Sequence, residues 1–218
     1  MKRTYQTIFA SAVLLNICTS QAAITSISFG STAITDPSGV GVVNDLTWES
    51  VTSNANDIDG STIDVTWSHT NGWNTDATYV AGNGARELFR NRTDMQADLV
   101  VTFSEINYAN YDIIVYYALN SAHEFDLTAS GSGETIHINP TGQNNAAVDN
   151  YLNDEQSLGG TGMWARFTGL TGSNQTLSVS NRESNVGITG FQIVAVPEPS
   201  ATALIGLGGL ALIMRRRK

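Results

Sequence analysis

The sequence predicts an all-β domain, a β-sandwich of the jelly-roll kind, and three observations predict it. Short segments alternate apolar and polar residues with the period of two that a half-buried strand requires. Turn-forming clusters such as Asp36-Pro37-Ser38-Gly39 and Gly131-Ser132-Gly133 punctuate those segments. Between residues 24 and 195 no stretch sustains a helical period, and Ala146–Leu152 is the best candidate for a single turn. About eight to eleven short strands with frequent turns is the pattern of a sandwich.

The strands follow in order. Ile24–Phe29 alternates and breaks at Gly30; Leu46–Val51 and Thr62–Trp67 alternate again. A long polar loop, Ser68–Gly84, leads to a short apolar segment at Glu87–Phe89. Ala97–Phe103 and Tyr111–Tyr117 are the most hydrophobic strands, and their near-continuous runs assign them central positions buried on both faces. Glu124–Ser130 and Glu134–Asn139 flank Gly131-Ser132-Gly133 as a hairpin. A second long loop, Pro140–Gly162, is rich in Asn, Gln and Gly, and Met163–Phe167, Gln175–Ser180 and Gly187–Ala195 close the domain. The closing strand is expected to pair with the opening one, which puts both ends of the domain at one end of the sandwich.

The two ends of the chain are built differently. Lys2 and Arg3 precede the apolar run Ile8–Leu15 and then small residues, the layout of a secretory signal peptide. Ser20-Gln21-Ala22 places small residues at the −3 and −1 positions, so residues 1–22 are expected to be removed, with a cut after Ala23 as the close alternative. The only cysteine, Cys18, leaves with them, so a mature domain of residues 23–195 is stabilised by its core and by no disulfide. Residues 196–218 hold three pieces in order. Pro197-Glu198-Pro199 is extended, because each proline excludes the α region for the residue before it. An uncharged run to Met214 follows, then Arg215-Arg216-Arg217-Lys218. As a helix, residues 201–214 rise roughly 21 Å. Counting from Pro199 and letting the basic side chains snorkel brings that close to a hydrocarbon core of ~30 Å. The basic tail keeps the C-terminus cytoplasmic.

This three-part end resembles the PEP-CTERM sorting signal of Gram-negative bacteria. The resemblance implies export by the Sec machinery and recognition by an exosortase, a membrane cysteine transpeptidase that cuts near the motif. It implies a location in the cell envelope, at the cell surface or in the extracellular matrix, often among exopolysaccharide. Pro197, Glu198, Pro199, Arg215, Arg216, Arg217 and Lys218 are then residues read by another protein. Ile27–Gly30, Val101–Phe103, Tyr111–Tyr116, Phe167–Leu170 and Gly187–Val194 resemble the β-sandwich domains that precede this signal and, more loosely, galactose-binding-like jelly rolls.

Charge excludes one class of function. The chain holds 20 Asp and Glu against 11 Lys and Arg, and Lys2, Arg3, Arg215, Arg216, Arg217 and Lys218 lie in the end segments. Only Arg86, Arg90, Arg92, Arg166 and Arg182 remain in the domain, which has no lysine. Nucleic-acid binding needs a basic footprint, and this domain is acidic.

Candidate binding residues concentrate in loops. Asn71, Trp73, Asn74 and Asp76, beside His69 and Tyr79, join an aromatic ring to amides and a carboxylate, the groups that stack on and hydrogen-bond a sugar; Tyr151 in the second loop would add a wall. The competing reading has Trp73 pinning its own loop. Trp48, Trp67 and Trp164 lie on expected strands and belong to the core. Asp57, Asp59 and Asp64 crowd around Gly60, but Ala55 and Thr66 stand where an EF-hand loop needs acids. A calcium site of another kind is the one cofactor these residues suggest, against a solvated acidic turn. No nucleophile elbow or His-Glu-x-x-His spacing occurs, and the carboxylates show no telling spacing. The expectation is therefore a non-catalytic structural or adhesive protein, with a carbohydrate-binding module as the alternative and a glycoside or ester hydrolase third.

Overall fold

The computed structural model describes residues 22–29, 33–35, 37, 40–52, 54–68, 72–74, 88, 91–94, 98–119, 125–138, 155–156, 164–180 and 186–197. Thirteen strands form among them: β1 (Ile24–Phe29), β2 (Glu49–Val51), β3 (Asp64–Trp67), β4 (Gly72–Asn74), β5 (Asn91–Asp94), β6 (Leu99–Ser104), β7 (Tyr111–Leu119), β8 (Phe125–Ala129), β9 (Thr135–Ile138), β10 (Glu155–Gln156), β11 (Trp164–Leu170), β12 (Gln175–Ser180) and β13 (Val186–Ala195).

They pair into two sheets. Sheet A runs β10-β11-β7-β13-β1-β2, with the β4–β5 hairpin attached to β13, and sheet B runs β3-β6-β12-β8-β9. Its antiparallel centre is β11-β7-β13-β1 facing β6-β12-β8-β9. Numbered one to eight along the chain, those strands lie in the orders 6-3-8-1 and 2-7-4-5. That is the double Greek-key order of a jelly roll.

Alternation explains sheet B. Val65 and Trp67, Leu99, Val101 and Phe103, Leu177 and Val179, Phe125 and Leu127, and Ile136 and Ile138 turn inward and are buried, while the residues between them remain at least partly exposed. Edge-to-face aromatic pairs cross from one sheet to the other: Phe29 with Trp67 at 4.8 Å, Phe191 with Phe103 at 5.1 Å, and Tyr117 with Phe125 at 5.3 Å. Each such pair contributes about 0.5–1.5 kcal/mol beyond the area it buries.

Sheet A is buried on both faces. Ile113, Val115 and Tyr117 of β7 enter the core between the sheets. Ile114 and Tyr116, with opposite parity, join Trp164 and Val194 in a second cluster on the outer face, covered by Ile34 and Val40 and by the half-buried Val42, Val43 and Trp48. Ile34, Val40, Val42, Val43 and Trp48 thus roof the outer face, and this is why β7 runs apolar from Ile113 to Tyr117.

A polar network fastens the roof. The Tyr116 hydroxyl donates to Gln192 Oε1 at 2.5 Å and accepts from the Val42 N–H at 2.6 Å. Gln192 Nε2 donates to Ser26 Oγ and to the Val43 carbonyl, and Ser26 Oγ donates to Asp45. Gly41 sits over this amide with φ 85°, and a Cβ there would meet Gln192 Oε1 at 2.8 Å, so the close approach needs glycine.

The structure departs from the expected strands in three places. β6, expected to be buried on both faces, buries only one: Leu99, Val101 and Phe103 face the core, while Val100 stands 38% exposed on the open face of sheet B. Only Glu49–Val51 of the expected 46–51 strand pairs, and it pairs with β1 in parallel. Trp48 instead turns its ring edge-to-face toward Tyr116 at 5.7 Å, and Leu46 stands 66% exposed. Strands β4, β5 and β10 were not expected; all are short and polar, and neighbours rather than local propensity make them strands.

Candidate functional site

The ends of β1 and β13 define one pole of the sandwich. Ile24 pairs with Val194, the Ala195 N–H donates to the Ala23 carbonyl at 2.8 Å, and the Val196 N–H donates to the Asn110 carbonyl at 2.9 Å. Pro197, with no N–H, is the first residue that cannot continue the ladder. Both ends of the domain therefore meet at this pole, as the pairing expectation held.

Short connections close that pole. Gln175, 2% exposed, ties two of them together: its Oε1 accepts from Ser130 Oγ and the Gly131 N–H, and its Nε2 donates to the Thr171 carbonyl. The Tyr111 hydroxyl donates to the Gly172 carbonyl at 2.8 Å, and the Ile106 N–H donates to the Ser173 carbonyl at 3.0 Å. Nearby, buried Asp112 accepts from Arg166 Nη2 at 2.7 Å and from the Gly169 N–H at 2.8 Å, so its charge is fully paired.

The long segments leave and re-enter the sandwich at the opposite pole. β3 ends at Trp67 opposite Val101 near the start of β6, and β9 ends at Ile138 opposite Phe125, the start of β8. The chain between β3 and β6, with Asn71, Trp73, Asn74 and Asp76, therefore leaves and re-enters away from Pro197, as does the chain between β9 and β11 that carries Tyr151. Asn71, Asp76 and Tyr151 lie outside the described residues, as do His69 and Tyr79. Trp73 and Asn74 are on β4, where their backbones pair with Arg92 and Asn91, so the expected loop contains a strand. β4 and β10 mark opposite edges of sheet A, five strand spacings or about 24 Å apart. The strand order thus sets the Trp73 strand far from the strand that follows Tyr151.

The acidic turn is knitted largely by its own backbone. Asp57 adopts a left-handed conformation at φ 52° before the 3₁₀ turn Ile58–Gly60, and its N–H donates to Asp64 Oδ1 at 3.0 Å. Ile58 and Ile63 plug the turn into the core, with Ile58 N–H donating to the Ile63 carbonyl. Among the described residues no three His, Cys, Asp or Glu side chains converge to hold a metal.

Of the histidines, His137 is described. Its Nδ1 lies 2.8 Å from Asp126 Oδ1 across the β8–β9 pair on the open face of sheet B, and its side chain is half-exposed. That is a cross-strand polar pair on an open surface, and the strand pairing alone accounts for it.

The last strand leads directly into the segment that decides the protein's class. Residues 195–218 match the PEP-CTERM protein-sorting motif. The chain carries a PEP-CTERM sorting motif. It is thereby marked for export and exosortase processing, and the motif begins inside β13, at Ala195. Among the described residues no helix is long and apolar enough to cross a membrane; residues 198–218 lie outside them.

No curated protein matches the sequence. Among solved structures the chain is similar to the ANX1 ectodomain from Arabidopsis thaliana, at 9% identity and TM-score 0.42, over 81% of this chain and 42% of that one. It spans about two fifths of the length of the plant ectodomains it matches. It is also similar to CBM35 from Paenibacillus barcinonensis (14% identity, TM-score 0.31, 61% of this chain and 93% of that one). A third is the Podospora anserina GH26-CBM35 β-(1,4)-mannanase (11% identity, TM-score 0.33, 62% and 29%). These scores are low, and the jelly roll stands on this chain's own strand order.

Proposed function

We propose that this protein is a PEP-CTERM cargo whose jelly roll serves a structural or adhesive, non-catalytic role at the cell surface or in the extracellular polysaccharide matrix. Its signal peptide takes it through the Sec machinery, and its C-terminal segment holds it in the inner membrane until an exosortase acts. The observation that carries this reading is the continuity of β13 with the sorting motif: a central strand of the domain passes into the exosortase substrate at Val196–Pro197. Protease shaving of intact cells, followed by immunoblotting, tests it. The domain is expected to be accessible from outside; full protection in intact cells with digestion only after lysis would contradict the surface location.

A carbohydrate-binding role is the second reading, favoured by both long polar connections leaving and re-entering the sandwich away from the motif. Asn71, Trp73, Asn74 and Asp76 are its proposed contacts. Tyr151 would act as a separate contact, because β4 and β10 occupy opposite sheet edges. Calcium held by Asp57, Asp59 and Asp64 would belong to a different part of the molecule, at the turn before β3. A glycan array probed with and without calcium, beside Trp73→Ala, distinguishes the two readings. Binding lost in the variant supports a lectin-like module, and no binding by folded protein supports the structural role.

A further inference from the structure

The pole where β1 begins and β13 ends carries apolar side chains that the fold leaves uncovered. Among the described residues three large hydrophobic side chains are exposed, and two of them, Leu46 at 66% and Val196 at 40%, lie there. Val196 is the residue after β13. Leu46 lines a shallow cavity with Ala22 and Ile24, which flank Ala23, the residue whose carbonyl accepts from the Ala195 N–H. Val42, Val43 and Trp48 pack on the outer cluster of sheet A, and Leu46 does not join them. Resting on the reading of the C-terminal segment as a membrane anchor, we propose that this pole lies against the bilayer for as long as the anchor is attached, with Leu46 and Val196 seated in a headgroup layer of neutral lipid.

Reach brings the pole to the membrane. Pro197 is the last described residue, and the uncharged helical run begins at Ala201. Four residue steps of at most ~3.6 Å span about 14 Å. A bilayer of ~40–45 Å around a hydrocarbon core of ~30 Å has roughly 5–8 Å of headgroup on each side. Even with the link fully stretched, the pole stays within about 9 Å of the headgroups. Two apolar side chains would not hold a free protein on a membrane, since a whole myristoyl chain does so only marginally. The anchor makes the encounter intramolecular, and a weak contact then suffices.

Charge selects the lipid. Asp45, Asp57, Glu105 and Glu134 stand on connections at this pole, and the domain has no lysine. Arg166 is tied to Asp112 through its Nε and Nη2. Anionic headgroups attract clustered cations and repel a surface of this kind. The Asp45 carboxylate, next to Leu46 in the chain, accepts from Ser26 and Thr47, which keeps it on the protein. What remains to meet the membrane is apolar, and neutral headgroups suit it. With the bilayer on this pole, the open face of sheet B and the far pole, where the long connections leave and re-enter, stay free for other contacts.

The test uses the full chain, made in a host without an exosortase and reconstituted into bilayers. Cys18→Ser with Leu46→Cys leaves one thiol for an environment-sensitive dye. Val100→Cys, on the open face of sheet B, is the reference position, and Val196→Cys is a second reporter. Lipid with a nitroxide on its headgroup is the quencher. In phosphatidylcholine bilayers the dyes at 46 and 196 are expected to be quenched several-fold more than the dye at 100. At low salt that quenching should fall as phosphatidylglycerol is added. Equal quenching at the three positions, or quenching at 46 that rises with phosphatidylglycerol, overturns the proposal and leaves the anchor in place. Protein that an alkaline wash strips from the bilayers contradicts the anchor reading itself, and the proposal with it.

Discussion

The outer faces of the two sheets differ in what they are committed to. The outer face of sheet A is roofed by Ile34, Val40, Val42, Val43 and Trp48, with Tyr116, Trp164 and Gln192 buried beneath or beside the roof. The outer face of sheet B carries Thr66, Val100, Thr102, Ser178, Thr128, Thr135 and His137, all at least partly exposed. Strand length differs, six residues at most in sheet B against nine and ten for β7 and β13, but the contrast between the faces lies in the alternating residue. Where it is apolar, as Ile114 and Tyr116 in β7, a roof is required; where it is Thr or Ser, solvent suffices. The lesson is that sheet A is spent on stability, and the surface left for contacts is the face of sheet B and the pole away from the motif.

The sharpest way to break this contrast is Trp164→Ala. The side chain is 5% exposed, and truncation of a buried Trp costs about 3–5 kcal/mol, read as a lower denaturation midpoint. A loss under about 1 kcal/mol would mean that the roofed face contributes little to stability. Tyr116→Phe should cost about 1–3 kcal/mol, because it leaves the Val42 N–H unsatisfied and removes a donor from Gln192. Thermal unfolding of this variant measures how much of the roof's hold is polar.

Alkali gives an intermediate effect. Burial pushes the Tyr116 and Tyr117 phenols above their ordinary value of 10.0. A group with a raised folded pKa contributes stability that is complete below its unfolded pKa, near 10, and is lost as pH climbs from there toward the folded value. Unfolding free energy should therefore hold below pH 10 and fall above it by up to about 1.4 kcal/mol per pH unit for each tyrosine. Tyr116→Phe should flatten that slope, which denaturant titration at several pH values can follow. The smallest effects are expected on the open face. Thr102→Ala and Ser178→Ala should stay within about 0.5 kcal/mol of the parent. A larger loss in either would show that this face, too, is committed to folding.

Much of this fold is legible in the sequence because its strands are of two readable kinds. β8, β9 and β12 alternate cleanly, and β7 is a long apolar run, so their positions follow from pattern alone; β6 reads as a strand buried on both faces, but Val100 stays exposed on the open face of sheet B. Roofing of sheet A is implied by β7, whose apolar residues have both parities, but Ile34, Val40, Val42 and Val43 stand in a turn-rich stretch with no strand period, so nothing there announces that they supply the roof. Gln192 and Ser26 look like surface residues and become buried through mutual hydrogen bonds, a tertiary fact with no local signature. β4, β5 and β10 escape for the same reason: Asn91-Arg92-Thr93-Asp94 is a strand because β13 extends past β1 and offers it an edge. Among site residues, Pro197-Glu198-Pro199 could be read because it is recognised as a linear segment. Trp73 could be nominated but not assigned a ligand, since sugar recognition depends on convergence in space. The Ala195 N–H to Ala23 carbonyl bond follows from the register between the first and last strands.

The measurement that bears most directly on the central claim is fractionation of cells producing the full chain, beside a variant with Pro197, Glu198 and Pro199 all replaced by alanine. The account predicts that the parent reaches the cell surface or medium in a shortened form and that the variant stays uncut in the inner membrane. Equal export and equal trimming of the two would contradict it.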